Sequence, residues 1–285
     1  MATRFASNGG VRIGYEVDEG DGPPLVLVHG LGYARWGWEP LRPLLAGSLR
    51  LVLFDNRGIG ESDVPEGPYA AEEMATDVVA VMDDAGMERA HLLGTSLGGM
   101  VAQEVALAAP ERIDRLVLVA STPGGDVAYP IPEPTLKLIA EMPTLAPEEA
   151  LRKAIANALS PASRERDPDL VERILAHRLA APQDPAGWQA QAAAGTTYSG
   201  GDRLRGITAP TLVVHGTSDA VVDPRNADLL AGLIPDTSVV MLDGAGHLPF
   251  WEEPQRVAEV VTAFLAPTSA EMYPGWSGRS ASQKS

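Results

Sequence analysis

The run Gly94-Thr95-Ser96-Leu97-Gly98-Gly99 sits between an apolar, strand-like segment at 91–93 and a helix-like segment that starts at Met100. A strand that turns at once into a helix leaves no room for a Cβ where the two cross. Gly94 and Gly98, two residues either side of the serine, supply that room. The turn strains the serine backbone and lifts its hydroxyl clear of the sheet edge. It also sets the serine at a helix N-terminus, where free N–H groups and the helix dipole favour negative charge. A chain with this turn needs a buried strand before it and a helix after it, and Ser96 becomes the candidate nucleophile.

Further short apolar runs fall at 25–28, 51–54, 116–120, 212–214 and 239–242, each closed by a polar or glycine-rich turn. Runs this short and apolar throughout fit strands buried on both faces of a parallel sheet. Segments 3–5 and 11–17 flank Asn8-Gly9-Gly10 and predict an antiparallel hairpin. Ala75, Val78, Val79 and Met82 repeat at helical spacing, and the helix after Ser96 runs through Val105 and Ala108 to a stop at Pro110. Alternating strands and helices predict an α/β fold with a doubly wound, mostly parallel sheet. Between 125 and 201 the alternation stops. Prolines open that stretch, no good strand follows, and 151–159 and 170–179 read as short helices. The expected organisation is a core of 1–124 and 202–267, a helical cap (lid) at 125–201 inserted between core strands, and a mobile tail at 268–285.

Two later motifs give the serine partners. His247 follows the last strand-like run in Gly244-Ala245-Gly246-His247, and Asp219 follows the preceding one in His215-Gly216-Thr217-Ser218-Asp219. Serine, aspartate and histidine each fall just past the C-terminal end of an expected strand, the edge where open parallel sheets gather their chemistry. A serine hydroxyl becomes nucleophilic when a base takes its proton; His247 is the candidate base and Asp219 the group that orients it. Asp223 is a second candidate acid. Backbone N–H groups of Leu97, after the nucleophile, and Leu31, in Val28-His29-Gly30-Leu31-Gly32, are the candidate oxyanion donors. His29, Gly30, Trp36, Trp188 and Leu248 are the candidate substrate pocket, with His29 expected to make an orienting hydrogen bond. His215, ending a core strand, reads as structural. Asp55 and Arg57 read as a structural turn with an ion pair, and Glu252-Glu253-Pro254 as the acidic start of the last helix.

The pieces His29-Gly30, Asp55-Asn56-Arg57-Gly58-Ile59-Gly60-Glu61-Ser62, the Ser96 turn, Asp219 and Gly246-His247 together resemble the α/β-hydrolase superfamily over residues 10–265. The resemblance implies that fold, a helical cap and the chain order Ser, Asp, His. Pro65-Glu66-Gly67-Pro68-Tyr69 and the run to Ala120 are similar to 3-oxoadipate enol-lactonases and neighbouring small esterases. Members acting on haloalkanes or epoxides carry Asp where this chain has Ser96, which sets those reactions aside. In some members the acid follows the strand after the nucleophile helix. Here Ala120-Ser121-Thr122 stand in that place, leaving Asp219.

The expected activity is serine hydrolysis of a small carboxylic ester or lactone through an acyl-serine, with no cofactor and no metal. C–C bond hydrolysis of a diketone, or peracid formation of the haloperoxidase type, could use the same residues. A non-catalytic small-molecule receptor would leave the triad without a task. An acidic substrate would want a basic side chain, and the cap offers Lys137, Arg152, Lys153, Arg164, Arg166, Arg173 and Arg178. A formal net charge of -16 argues against nucleic acid or an anionic membrane as partner. The absence of cysteine excludes disulfides and thiolate chemistry. With no signal-like N-terminus and no apolar run of ~18–20 residues, the chain reads as soluble and cytoplasmic.

Overall fold

The computed structural model describes residues 2–266, so the expected tail lies outside the described residues. An eight-stranded sheet forms the centre, in the order β1-β2-β4-β3-β5-β6-β7-β8. Its strands are β1 Arg4–Asn8, β2 Val11–Asp18, β3 Pro24–Val28, β4 Arg50–Phe54, β5 Ala90–Thr95, β6 Ile113–Val119, β7 Thr211–Gly216 and β8 Thr237–Leu242. β1 and β2 form the hairpin, turning on Gly9 and Gly10, both at positive φ (58° and 90°). β2 also runs antiparallel to β4, and from β4 to β8 every pairing is parallel. Val26 lies between Val52 and Leu92, and Leu118 between Gly94 and Val213. These central strands are buried on both faces, as uniformly apolar runs require.

Helices α1 Arg42–Leu45, α2 Ala71–Asp84 and α3 Leu97–Ala108 belong to the first half. Between β6 and β7 the chain forms α4 Glu133–Glu141, α5 Pro147–Ala158, α6 Pro161–Arg166, α7 Leu170–Ala180 and α8 Pro185–Thr197. α9 Asn226–Leu233, α10 Pro249–Glu252 and α11 Pro254–Leu265 complete the described chain. One sheet face packs against α2, α3 and α9, with Val78, Val101 and Leu230 buried there. The other packs against α1 and α11, and Leu45, Val261 and Ile174 of α7 belong to one buried core there. Prolines at the first turns of α5 and α8 fit helix starts, where a missing N–H costs nothing.

Chain order reverses around β3: its successor β4 lies on one side and β5 on the other. The loops leaving β3 and β5 therefore both emerge at the carboxyl edge beside this switch point, where open α/β sheets bind their ligands. Ser96 and Gly30 stand at that point.

Two local expectations need correction. Asp55 and Arg57 do not pair with each other. The Asp55 carboxylate is taken up by the Arg35 side chain, the Arg35 amide and the Glu61 amide. Arg57 reaches the other way to Asp77 and Glu73 of α2. Glu252 does not start the last helix: it ends α10 and is buried, accepting from the Gly246 amide at 2.9 Å and the Ser160 amide at 3.0 Å.

Candidate active site

Ser96 is partly exposed, whereas every other residue between 90 and 106 is buried. Its φ of 53° and ψ of -121° lie where side chains are strained, at a cost of about 1–3 kcal/mol. The strain is held by neighbours. Its amide donates to the Val119 carbonyl at 2.9 Å, and its carbonyl accepts from Ser121 Oγ at 2.9 Å and the Gly99 amide at 2.9 Å. A Cβ on Gly94 would run into the Gly98 carbonyl, and one on Gly98 into the Val28 carbonyl. Both glycines are thus required by close backbone packing of α3 against β5 and β3.

Asp219 lies in the turn after β7 and is 5% exposed. Its Oδ1 accepts the Val221 and Val222 amides at 2.8 and 2.9 Å. Its Oδ2 meets His247 Nδ1 at 2.8 Å and His215 Nε2 at 3.0 Å. Burial alone would raise the Asp219 pKa, but the two histidines outweigh it and hold the carboxyl well below the usual range. The carboxylate fixes His247 with the proton on Nδ1, leaving Nε2 as its basic nitrogen. Asp223, the second candidate acid, is instead held by Arg225.

His215 was expected to be structural, and its share in the Asp219 carboxylate is a contact the sequence reading missed. The i, i+4 placement of His215 and Asp219 across a strand end was the available signal. The His247 loop is tied down by its own amide, which donates to the Ala158 carbonyl at the end of α5 at 2.7 Å. Glu252 holds the adjacent Gly246 amide and, through Ser160, the start of α6.

On the β3 side, a Cβ on Gly30 would sit 3.0 Å from Ser96 Cβ and 3.6 Å from its Oγ, so this loop lies directly against the serine. His29 is 1% exposed and boxed by Tyr33, Trp38 and Phe250, at ring-centroid distances of 4.8, 4.5 and 5.4 Å. Burial pushes its pKa down to about 3, so it stands neutral. Its Nδ1 accepts the Gly30 amide at 2.8 Å, and its carbonyl accepts Asn56 Nδ2 at 2.9 Å. With the Gly30 amide so engaged, the next one along is that of Leu31. The Leu97 amide, first in α3, has no partner within its own helix by position.

Among the remaining candidates, Trp36 stacks on His177 of α7 at 5.0 Å, and Leu248 is buried in the core layer with Phe250. Trp188 is 38% exposed on α8. The contacts of Trp36 and Leu248 are packing contacts. The β6–β7 segment also reaches the β3 loop and the 55–62 turn through Gln191, which donates to the Arg57 carbonyl at 2.7 Å.

The sequence profile of the alpha/beta hydrolase fold family matches residues 23–254. The chain belongs to that family. It is 32% identical over 252 residues to a pimeloyl-[acyl-carrier protein] methyl ester esterase of Aeromonas hydrophila, covering 86% of this chain and 96% of that protein. It is 33% identical over 253 residues to a 2-hydroxy-6-oxononadienedioate/2-hydroxy-6-oxononatrienedioate hydrolase of Cupriavidus pinatubonensis, covering 85% and 86%. Among solved structures, the enol-lactonase from Burkholderia xenovorans LB400 superposes with a TM-score of 0.80 at 27% identity, covering 92% of this chain and 99% of that one. This α/β-hydrolase has no helix, among the described residues, long and apolar enough to cross a membrane.

Proposed function

We propose that this α/β-hydrolase is a serine hydrolase that cleaves a small carboxylic ester or lactone through an acyl-Ser96 intermediate. The observation that carries the reading is the buried Asp219 carboxylate fixing His247 Nδ1 at 2.8 Å, combined with the strained, partly exposed Ser96. His247 Nε2 takes the Ser96 proton as Oγ attacks the substrate carbonyl. The imidazolium so formed is stabilised by Asp219. The Leu31 and Leu97 amides donate to the oxyanion, each contributing roughly 3–4 kcal/mol to the transition state. Collapse breaks the C–O bond, and His247 returns its proton to the leaving alkoxide, or to the ring-opened hydroxyl of a lactone. Water, deprotonated by His247, then releases the acid and restores Ser96.

Helices α4 to α8 form the cap of this reading. Their ties to the His247 loop, through Ala158 and Ser160, and to the 55–62 turn, through Gln191, support it. C–C bond hydrolysis is a second reading, favoured by the likeness to a hydrolase named for a carbon-chain dioate.

A panel of p-nitrophenyl esters, γ- and δ-lactones, enol lactones and a vinylogous 1,5-diketone acid, run on wild type and Ser96→Ala, tests both. Serine-dependent turnover of esters or lactones is expected, with the diketone acid slower. Ester turnover that survives Ser96→Ala would sink the proposal, and diketone cleavage alone would move the second reading ahead.

A further inference from the structure

The basic side chains between 125 and 201 separate clearly once their partners are known. Lys137 pairs with Glu133, Arg152 with Glu148 and Glu172, Lys153 with Glu141, and Arg173 with Asp167. Arg166 donates to Ser163 Oγ and the Glu252 carbonyl, and Arg164 is exposed. Arg178 of α7 differs. It is partly buried, and no carboxylate among the described residues lies within ion-pair distance of it.

Its guanidinium lies over the Tyr33 ring, 5.2 Å from the centroid. It also comes down onto Gly32, where a Cβ would meet Nη1 at 2.6 Å and Nη2 at 2.9 Å. Gly32, at φ 78°, gives the guanidinium a seat that a side chain would fill. The same loop carries Gly30 against Ser96. From these contacts and the span of two residues, the guanidinium lies at most about 16 Å from Ser96 Oγ.

An arginine keeps its charge at any working pH, and a partly desolvated cation without a counter-ion is costly. Burial lowers the Arg178 pKa, and its neighbours offer a π face and backbone in place of an anion. The chain as a whole carries a formal charge of -16, so an anionic substrate gains nothing from the general surface field. Attraction has to come from a local cation, and a single guanidinium fork matches one planar carboxylate.

We propose that Arg178 binds a carboxylate of the substrate, so that the ester or lactone opened at Ser96 carries a second, ionised acid group several bonds from the scissile carbonyl. This rests on the hydrolase reading above. The product is then a diacid held by Arg178 at one end.

The test uses two esters of equal chain length, mono-p-nitrophenyl adipate and p-nitrophenyl hexanoate, at fixed ionic strength. The readout is the ratio of their kcat/KM values in wild type, Arg178→Gln and Arg178→Lys, with Ser96→Ala as blank and thermal melts to confirm folding. The ratio is expected to fall about ten- to a hundredfold in Arg178→Gln, the worth of one charged hydrogen-bonded pair. Arg178→Lys should recover part of it, because the charge stays and the fork is lost. An equal ratio in wild type and Arg178→Gln, with serine-dependent turnover intact, would overturn the carboxylate site and leave the hydrolase reading standing. No serine-dependent turnover of either ester would remove both.

Discussion

Asp219→Asn isolates the group on which the proposed chemistry turns. The Asp219 carboxylate accepts four hydrogen bonds: two from backbone amides at Oδ1 and two from histidines at Oδ2. An asparagine whose oxygen stays with the Val221 and Val222 amides keeps half of that set. Its NH2 then faces His247 Nδ1 and His215 Nε2, where two acceptor bonds stood. His247 can answer by moving its proton to Nε2, which makes Nδ1 an acceptor and removes the base that Ser96 needs. The opposite rotamer keeps His247 in the right tautomer but sets NH2 against two buried amides, at about 1–3 kcal/mol for each group left unpaired. The first arrangement wins on that count. Catalysis should therefore fall by about 10⁴, the size seen when a triad aspartate is made neutral, or about 5.5 kcal/mol in the barrier. The assay is burst-phase acylation with a p-nitrophenyl ester, which reads the proton-transfer step directly, alongside a urea melt. A folded Asp219→Asn protein that acylates within tenfold of wild type would refute the assigned role of the Asp219–His247 pair.

Glu252→Gln keeps the shape but leaves one acceptor oxygen for the Gly246 and Ser160 amides, which the carboxylate now serves together. Unfolding stability should drop by about 1–3 kcal/mol in urea melts, with a lower kcat as the His247 loop loosens; unchanged stability would contradict the clamp. His29 gives a pH signature. Its folded pKa of about 3 lies below its unfolded value of about 6.5, so the unfolded chain binds the extra proton. Its stabilising share is complete above pH 6.5 and is lost as pH falls toward 3, about 2 kcal/mol between pH 7 and pH 5. His29→Phe, with an apolar ring in the box of Tyr33, Trp38 and Phe250, should show a shallower fall over that range. An equally steep fall in the variant would count against a buried, neutral His29.

The parallel sheet was legible because each central strand is a short run of apolar residues, and burial on both faces allows little else. The Ser96 turn was legible because Gly94 faces the Gly98 carbonyl within one short run, although the demand for glycine at 98 itself comes from the Val28 carbonyl of β3. The order of Ser96, Asp219 and His247 could be read because each follows its own strand. The pairing of Asp55 with Arg35 and of Arg57 with Asp77 could not. Two residues apart in sequence, Asp55 and Arg57 suggest an ion pair, but each finds its partner on another segment, Asp55 on Arg35 and Arg57 on Asp77 of α2.

The sequence by itself determined the strands, the strained serine turn and the residue types of the candidate triad, since those follow from side-chain period, glycine positions and local chain geometry. Only the tertiary structure decided that His215 shares Asp219 with His247. It also decided that Glu252 ties the histidine loop to α6, and that Arg178, among seven basic side chains between 125 and 201, comes down on the loop beside Ser96. Those contacts join segments that local spacing cannot relate. They exist because β3, β5, β7 and β8 lie in one sheet, whose carboxyl edge brings their loops together.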